Sequence, residues 1–350
     1  MAMHDPVLHR FIAYLGEKKA EQEANLDSHI RIELSREQIT AVRDSFRQSI
    51  LDGERLLHNL SHLLASVLLE SDFELHSNVI GVLPGSEERP FLIRERIKQK
   101  TLFSVTDIDL GNQMLDNFRY RLDRAWVPLA LSANFVEYLP VGRPETGVNR
   151  ITSRVKAEEE LWNKVTDELF LLDDLVSRDK HLRQYSKYVK DIFGIKIVCE
   201  HESTCLQVHE QLQKLTYSDL HRLNLGWLEN LTLPEEYESS EPVLDFIETK
   251  NYLTCDPSEM KQTGWKALKS VVRWGGRLFE IQVQPLANYY LELDHMSGPS
   301  HGSFKIQRDN LRRELADRIP LYGFYRDLLK MLFMETDVSF ECHNASVVIH

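Results

Sequence analysis

Apolar positions recur at helical spacing through the first part of the chain. Ser35 followed by Gln38 has the form of a capping box, and Ile39, Val42, Phe46 and Ile50 then share one face. Beyond Asp52-Gly53 the stripe resumes with Leu56, Leu57, Leu60, Leu63, Leu64, Val67 and Leu68. A stripe of that length needs a partner surface, so it is expected to pack on the rest of the chain or on a second copy. From Val79 to Thr101 the pattern is less regular, with Pro84-Gly85 as a turn. The charged run Arg94, Glu95, Arg96, Lys98, Lys100 reads as the solvated face of a helix rather than a nucleic-acid patch.

The texture changes at Pro140-Val141-Gly142-Arg143-Pro144, followed by Thr146-Gly147, which marks a loop entering a new unit. Helical and strand patterns then alternate. Glu158 to Leu175 reads as helix, Ile192 to Cys199 as a buried strand, and Leu206 to Leu215 as helix. The acidic, proline-flanked segment from Leu233 to Pro242 reads as an exposed insertion. Ala267 to Trp274 and Leu278 to Gln284 are two strands joined by Gly275-Gly276, a hairpin signal. The end is helical, with Leu311, Leu315 and Ile319, then Leu328, Leu329 and Leu332 beyond Pro320. The expected fold is α+β, a mixed β-sheet flanked by helices with a helical N-terminal region. The expected division is 1–139 mostly helical, 140–305 the sheet domain, and 306–350 C-terminal helices and tail.

Composition narrows the function classes. Of 350 residues, 42% are hydrophobic and 9% aromatic, enough for packed cores. The 42 basic and 54 acidic side chains leave a net charge of −12, which argues against duplex DNA and anionic membranes as partners but not against a local polyphosphate pocket. No apolar run is long enough to span a bilayer, and no secretory signal is visible. The four cysteines, Cys199, Cys205, Cys255 and Cys342, are too scattered for a disulfide framework, so a reducing, cytoplasmic setting is expected. Cys199, His201, Cys205 and His209 match no zinc spacing and read as buried thiols and surface histidines.

Three features carry chemistry. In Leu278 to Gln284, alternation puts Phe279, Ile281 and Val283 on one face and Glu280, Gln282 and Gln284 on the other, which is expected to be open. A carboxylate flanked by amides there could hold a cation or accept a proton. Asp191, at the mouth of the strand in Lys190-Asp191-Ile192-Phe193-Gly194-Ile195-Lys196, is placed to bind Mg²⁺ or to cap a turn. Ser153-Arg154-Val155-Lys156, with Lys164 beyond, gathers cations where a helix begins, a setting that favours anions.

In this order the features resemble the synthetase domain of the RelA/SpoT family, including small alarmone synthetase-like and toxin-like members. The family's successive elements SRxK…K, DxxGxR, GYxSLH and ExQxR have counterparts here. They are Ser153 to Lys156 with Lys164, Asp191 to Cys199, Thr263 to Lys269, and Glu280 to Gln284, with Asp294-His295 and Phe304-Lys305 in the place of a later EH…YK element. The resemblance runs from Asn149 to Lys305. It implies a nucleotidyltransferase-like fold and a Mg²⁺-dependent pyrophosphokinase, which moves the β,γ-pyrophosphate of ATP to the 3′-hydroxyl of GDP or GTP and so makes (p)ppGpp. It implies that Asp191 and Glu280 hold Mg²⁺ and that Glu280 accepts the proton of the attacking hydroxyl. Arg154, Lys156, Lys164 and Lys196 would bind ATP. Trp265, Lys269, Gln282 and His295 would bind the acceptor, with Trp265 stacking on its base.

The sequence departs from the family at Glu160, where serine is usual, and at Lys196 and Gln284, where arginine is usual. The acceptor loop has Trp265, Ala267 and Lys269 for tyrosine, serine and histidine. Acceptor identity is therefore open among a guanosine nucleotide, an adenosine nucleotide and the 3′ end of tRNA. A non-catalytic nucleotide-binding or regulatory protein is the alternative of another class. The N-terminal helices are candidates for homo-oligomerisation.

Overall fold

The computed structural model describes residues 5–25, 29–70, 72–83, 89–122, 124–127, 129–155, 192–222, 240–254, 265–297, 321–334 and 345–350. In chain order the first elements are α1 (Pro6–Ala24), β1 (Ile30–Leu34), α2 (Arg36–Leu68), β2 (Phe73–Leu83), β3 (Arg89–Ile97), α3 (Gln99–Leu102) and α4 (Asp107–Asp116). Next come β4 (Tyr120–Leu122), β5 (Ala125–Val127), β6 (Ala130–Pro140), β7 (Val148–Val155), β8 (Phe193–Cys199), α5 (Glu202–Lys214) and α6 (Tyr217–Arg222). The remainder are β9 (Asp245–Asn251), β10 (Leu268–Trp274), β11 (Arg277–Pro285), α7 (Leu286–Ser297), α8 (Tyr322–Met334) and β12 (Ala345–Ile349).

The chain divides into two compact units. One takes residues 1–52, 158–190 and 303–350. In it α1 starts where Asp5 Oδ1 accepts from the Val7 and Leu8 amides at 2.9 and 3.0 Å, with Pro6 entering the first turn. β1 buries Ile30, Ile32 and Leu34 on one side and pairs in parallel with β12, so two segments far apart in sequence share one small sheet. Ser35 caps α2, its Oγ accepting from the Gln38 amide at 3.0 Å as the sequence predicts.

The other unit takes residues 53–157 and 191–302 and is built on an eight-stranded sheet of order β3-β2-β6-β7-β8-β11-β10-β9. Every pairing is antiparallel except that of β8 with β11. The predicted hairpin is present. Leu268 to Trp274 pairs with Arg277 to Val283, and Gly275 and Gly276 both take the positive φ that a two-residue hairpin turn of this hand requires. The apolar side of the sheet, with Val79, Val136, Ile151, Ile195, Ile197, Phe279, Ile281 and Val283, is fully buried. Against it lie the second half of α2 and the buried Cys205, Val208 and Leu212 of α5. Gly53 does not break α2. A Cβ at that position would overlap the Phe193 ring, so the glycine serves close packing of helix on strand.

Three expectations are modified. Helices make up most of the described residues before 140, but three strands of the main sheet, β2, β3 and β6, also come from there, so the sheet unit does not begin at 140. The run from Arg94 to Arg96 lies on β3, not on a helix. Phe91, Ile93 and Ile97 alternate with polar positions there, and the cations pair across strands, Arg94 with Glu137 at 2.9 Å and Arg96 with Glu74 at 3.0 Å. The Pro140 to Gly147 segment joins two paired strands, β6 and β7, within one sheet. Among the described residues no helix is long and apolar enough to cross a membrane.

Candidate functional site

Register places the polar residues of the sheet in rows. Arg154 of β7 pairs with Gly194 of β8, which pairs with Glu280 of β11. Two residues along, Thr152, Lys196, Gln282 and Lys269 stand in line on β7, β8, β11 and β10, with Glu137 of β6 beside Thr152. Paired residues project to the same side, so motifs far apart in sequence meet on one face. A cleft opens over these rows. Arg154, Gly194, Lys196, Glu280 and Gln282 line it, together with Tyr289 from α7.

Glu280 is only 3% exposed, so the polar face is not the open one expected. Its carboxylate pairs with the Lys269 ammonium and accepts from the Gln282 amide. Gln284, at the other end of β11, is completely buried beneath α7. The covering arises because β11 runs straight into α7, and Gln284, Asn288 and Glu292 recur at four-residue spacing. Asn288 Nδ2 donates to Gln284 Oε1 at 2.7 Å, and Gln284 Nε2 donates to Glu292 Oε2 at 2.9 Å.

Glu292 is the hub of this half of the site. Lys196 Nζ lies 2.6 Å from Oε2, and Trp265 Nε1 donates to Oε1 at 2.7 Å. Burial pushes the Glu292 carboxyl up, but the Lys196 charge and the bonds from Lys196, Gln284 and Trp265 outweigh it and hold the group below the usual carboxylate range. Burial also pulls the Lys196 ammonium below its ordinary value, and Glu292 offsets only part of that.

A second buried carboxylate walls the other side. Glu137 is 1% exposed and binds Arg150 Nη1 at 2.7 Å through Oε1 and Arg94 Nη2 at 2.9 Å through Oε2. The Tyr289 hydroxyl donates to Glu137 Oε1 at 3.3 Å, and the Arg150 guanidinium lies 5.0 Å from the Tyr289 ring centroid. Burial, then the Glu137 charge, push the Tyr289 phenol above its ordinary value, so it stays a donor.

Of the residues singled out from sequence, Arg154, Lys196, Glu280 and Gln282 line the cleft. Lys269 and Trp265 stand beside it through Glu280 and Glu292. Trp265 also meets the Tyr252 ring edge-on at 5.5 Å. Asp191, Lys156 and Lys164, like Glu160, lie outside the described residues, as does the side chain of His295 on α7. Ile192, the first described residue of its motif, lines the cleft. His209 is not at the surface. It is buried, and its Nε2 lies 2.9 Å from Ser270 Oγ. Cys199 and Cys205 are buried free thiols.

Sequence reasoning missed Glu292, Glu137, Arg150 and Tyr289. For Glu292 the signal was present in the four-residue ladder Gln284, Asn288, Glu292. For Glu137 it was not, because its partners Asn78, Arg94, Arg150 and Tyr289 come from four separate elements.

No family model matches the sequence, and no curated protein matches it. Among solved structures, the chain is similar to the small alarmone synthetase 1 from Bacillus subtilis bound to its product pppGpp. The identity is 16% over 54% of this chain and 76% of that one, with a TM-score of 0.25. It is also similar to a GTP pyrophosphokinase family protein from Streptococcus pneumoniae, at 14% identity over 53% of this chain and 74% of that one, with a TM-score of 0.24.

Proposed function

We propose that the protein is a pyrophosphotransferase that moves the β,γ-pyrophosphate of ATP to the 3′-hydroxyl of a nucleotide, with a guanosine nucleotide as the default acceptor. The observation that carries this reading is the row Arg154, Gly194, Glu280, with Lys196 and Gln282 next to it in one cleft. Three motifs picked out by sequence order alone thereby supply a cation pair, a side-chain-free floor and a carboxylate to a single concave site.

The reaction needs those groups. The acceptor oxygen attacks the β-phosphorus, the bond from that phosphorus to the α,β-bridging oxygen breaks, and AMP leaves with the electron pair. The hydroxyl proton would go to the Glu280 carboxylate, which lines the cleft. Arg154 and Lys196, with Lys156 and Lys164, would balance the charge of the transferring group. Trp265 would stack on the acceptor base, with Lys269, Gln282 and His295 as further acceptor contacts.

Mg²⁺ suits the carboxylate oxygens of Glu280 and Asp191, and the Glu280 carboxylate faces the cleft beside two cations that select for phosphate. When bound, the ion would neutralise phosphate charge. The Lys269 ammonium now sits on Glu280 and would have to yield part of that position.

The same ion pair favours a second reading. With Glu280 neutralised by Lys269 and Gln284 in place of an arginine, the domain would bind nucleotide without turnover.

One assay separates the two. The full-length protein is incubated with Mg²⁺ and γ-labelled ATP, offering GDP, GTP, ADP, AMP and deacylated tRNA separately. Transfer to any of them, abolished by Glu280→Gln, supports the transferase and names its acceptor. Tight nucleotide binding with no labelled product leaves the binding reading, and neither binding nor transfer sinks both.

A further inference from the structure

Under the apolar face of the sheet, behind the cleft, three ligand-type side chains converge. Glu54 and His58 stand four residues apart on one face of α2, and Asp107 opens α4. All three are buried, and one donor atom from each lies within 4.8 Å of the others. His58 Nε2 is 3.1 Å from Asp107 Oδ1 and 3.6 Å from Glu54 Oε1.

These separations are ion-pair distances, yet both imidazole nitrogens and both Asp107 oxygens lack an aligned hydrogen bond. The three donor atoms are close enough together to share one ion. Zn²⁺ bonds of about 2.0–2.1 Å in tetrahedral geometry give ligand-to-ligand edges of about 3.3 Å, which the two observed distances bracket.

The surroundings hold the ligands in place. The Asp107 amide donates to Glu54 Oε1 at 2.5 Å, and the Asn134 side chain donates to the Asp107 carbonyl. Bonds of this kind orient first ligands at metal centres. Charge points the same way. With both carboxylates ionised, an imidazolium leaves one uncompensated negative charge, whereas two carboxylates with a neutral imidazole balance a divalent ion.

We propose that Glu54, His58 and Asp107 form a structural site for a divalent ion of the borderline class, with Zn²⁺ as its best-suited member, which ties α2 to α4 beneath β6. One nitrogen and two carboxylates, none of them solvent-exposed, suit such an ion better than Ca²⁺ or Mg²⁺, which favour all-oxygen shells with water. The site is separate from the cleft and needs no substrate.

The test uses the full-length protein, stripped with a chelator and titrated with Co²⁺. The expected result is a tetrahedral-type visible spectrum that saturates at one equivalent, is displaced by Zn²⁺ and is lost in His58→Gln. Zn²⁺ at roughly a hundredfold excess over its dissociation constant should raise the melting temperature of the wild-type protein by about 5–10 °C, reversed by chelator. Because His58→Gln could fail to fold, imidazole ¹⁵N spectra of the wild-type protein give an independent readout. In the Zn²⁺-treated protein, a His58 ring still protonated on both nitrogens at neutral pH would overturn the site. So would a folded wild-type protein that shows neither the Co²⁺ spectrum nor the thermal shift. Failure here leaves the transferase proposal standing, since neither readout involves nucleotide.

Discussion

Glu280 faces Gly194 across the parallel pair β8 and β11, and Arg154 faces the same glycine from the antiparallel neighbour β7. The one strand position without a side chain thus lies between the carboxylate and the cation of the cleft. A Cβ built on Gly194 meets no atom within 4 Å, and its φ is not in the left-handed region. Neither backbone strain nor crowding requires glycine there. The vacancy serves whatever occupies the cleft.

Gly194→Val is therefore expected to fold as well as the parent, or to gain about 0.5–1 kcal/mol from the stiffer chain. Nucleotide affinity should fall at least tenfold, because the branched side chain projects between Arg154 and Glu280. Gly53→Ala is the opposite case. Its Cβ would overlap Phe193, so it should lose about 1–3 kcal/mol by forcing the ring aside. Thermal melts and ATP titrations of the two variants check the contrast. A Gly194→Val protein that binds ATP normally would remove the glycine from the site.

What the sequence made legible follows from how local each signal is. The β10–β11 hairpin could be read because Gly275-Gly276 fixes its turn and its strands alternate in a short window. β3 could not, because Arg94, Glu95 and Arg96 form an exposed charged run with no clear period, and only the pairing with β2 and the partners Glu74 and Glu137 show it to be a strand. The pairing of β1 with β12 is further out of reach, as His29 and Ser346, which meet at its edge, are 317 positions apart. In the site, Arg154, Lys196 and Glu280 were visible as motif positions, whereas Glu137 became visible only with its two arginines in place.

Glu292→Gln should separate structure from ligand binding at one atom. The amide keeps a carbonyl for Trp265 or Gln284 but leaves the Lys196 ammonium with no counter-charge at 2.6 Å. A loss of about 1–3 kcal/mol is expected, read as a lower urea midpoint. A nucleotide polyphosphate would then supply the missing negative charge. Saturating ATP should accordingly raise the melting temperature of the variant more than that of the parent. An equal rise in both proteins counts against Lys196 as a phosphate contact.

Removing Glu137 and removing Arg94 should differ sharply in cost. Arg150 has a side chain 17% exposed, and Arg94 one 43% exposed. Glu137→Ala strands the more buried guanidinium and is expected to cost about 3–5 kcal/mol. Arg94→Ala removes a pair whose cation is half in solvent and should cost about 1 kcal/mol or less. Chemical denaturation of both variants, with the double variant to close the cycle, tests this. Equal losses would mean that Glu137 is held by its strand rather than by its cations.

Acid should weaken the larger unit through His62 and His209. Burial lowers the His62 imidazole to about 4, and its ring packs edge-on against Phe73 at 5.0 Å. Burial lowers His209 as well. The unfolded chain takes up a proton at His62 near the ordinary imidazole value of 6.5, but the folded chain only near 4, so between those values the unfolded state binds more protons. Stability from this group is complete above about 6.5, falls with falling pH, and levels off below about 4, for a total of roughly 3 kcal/mol. His62→Phe keeps a ring against Phe73 and removes the titration. Urea midpoints measured across that range should fall less steeply for the variant than for the parent. Parallel slopes would mean that water reaches the His62 ring in the native protein and that its proton affinity is ordinary.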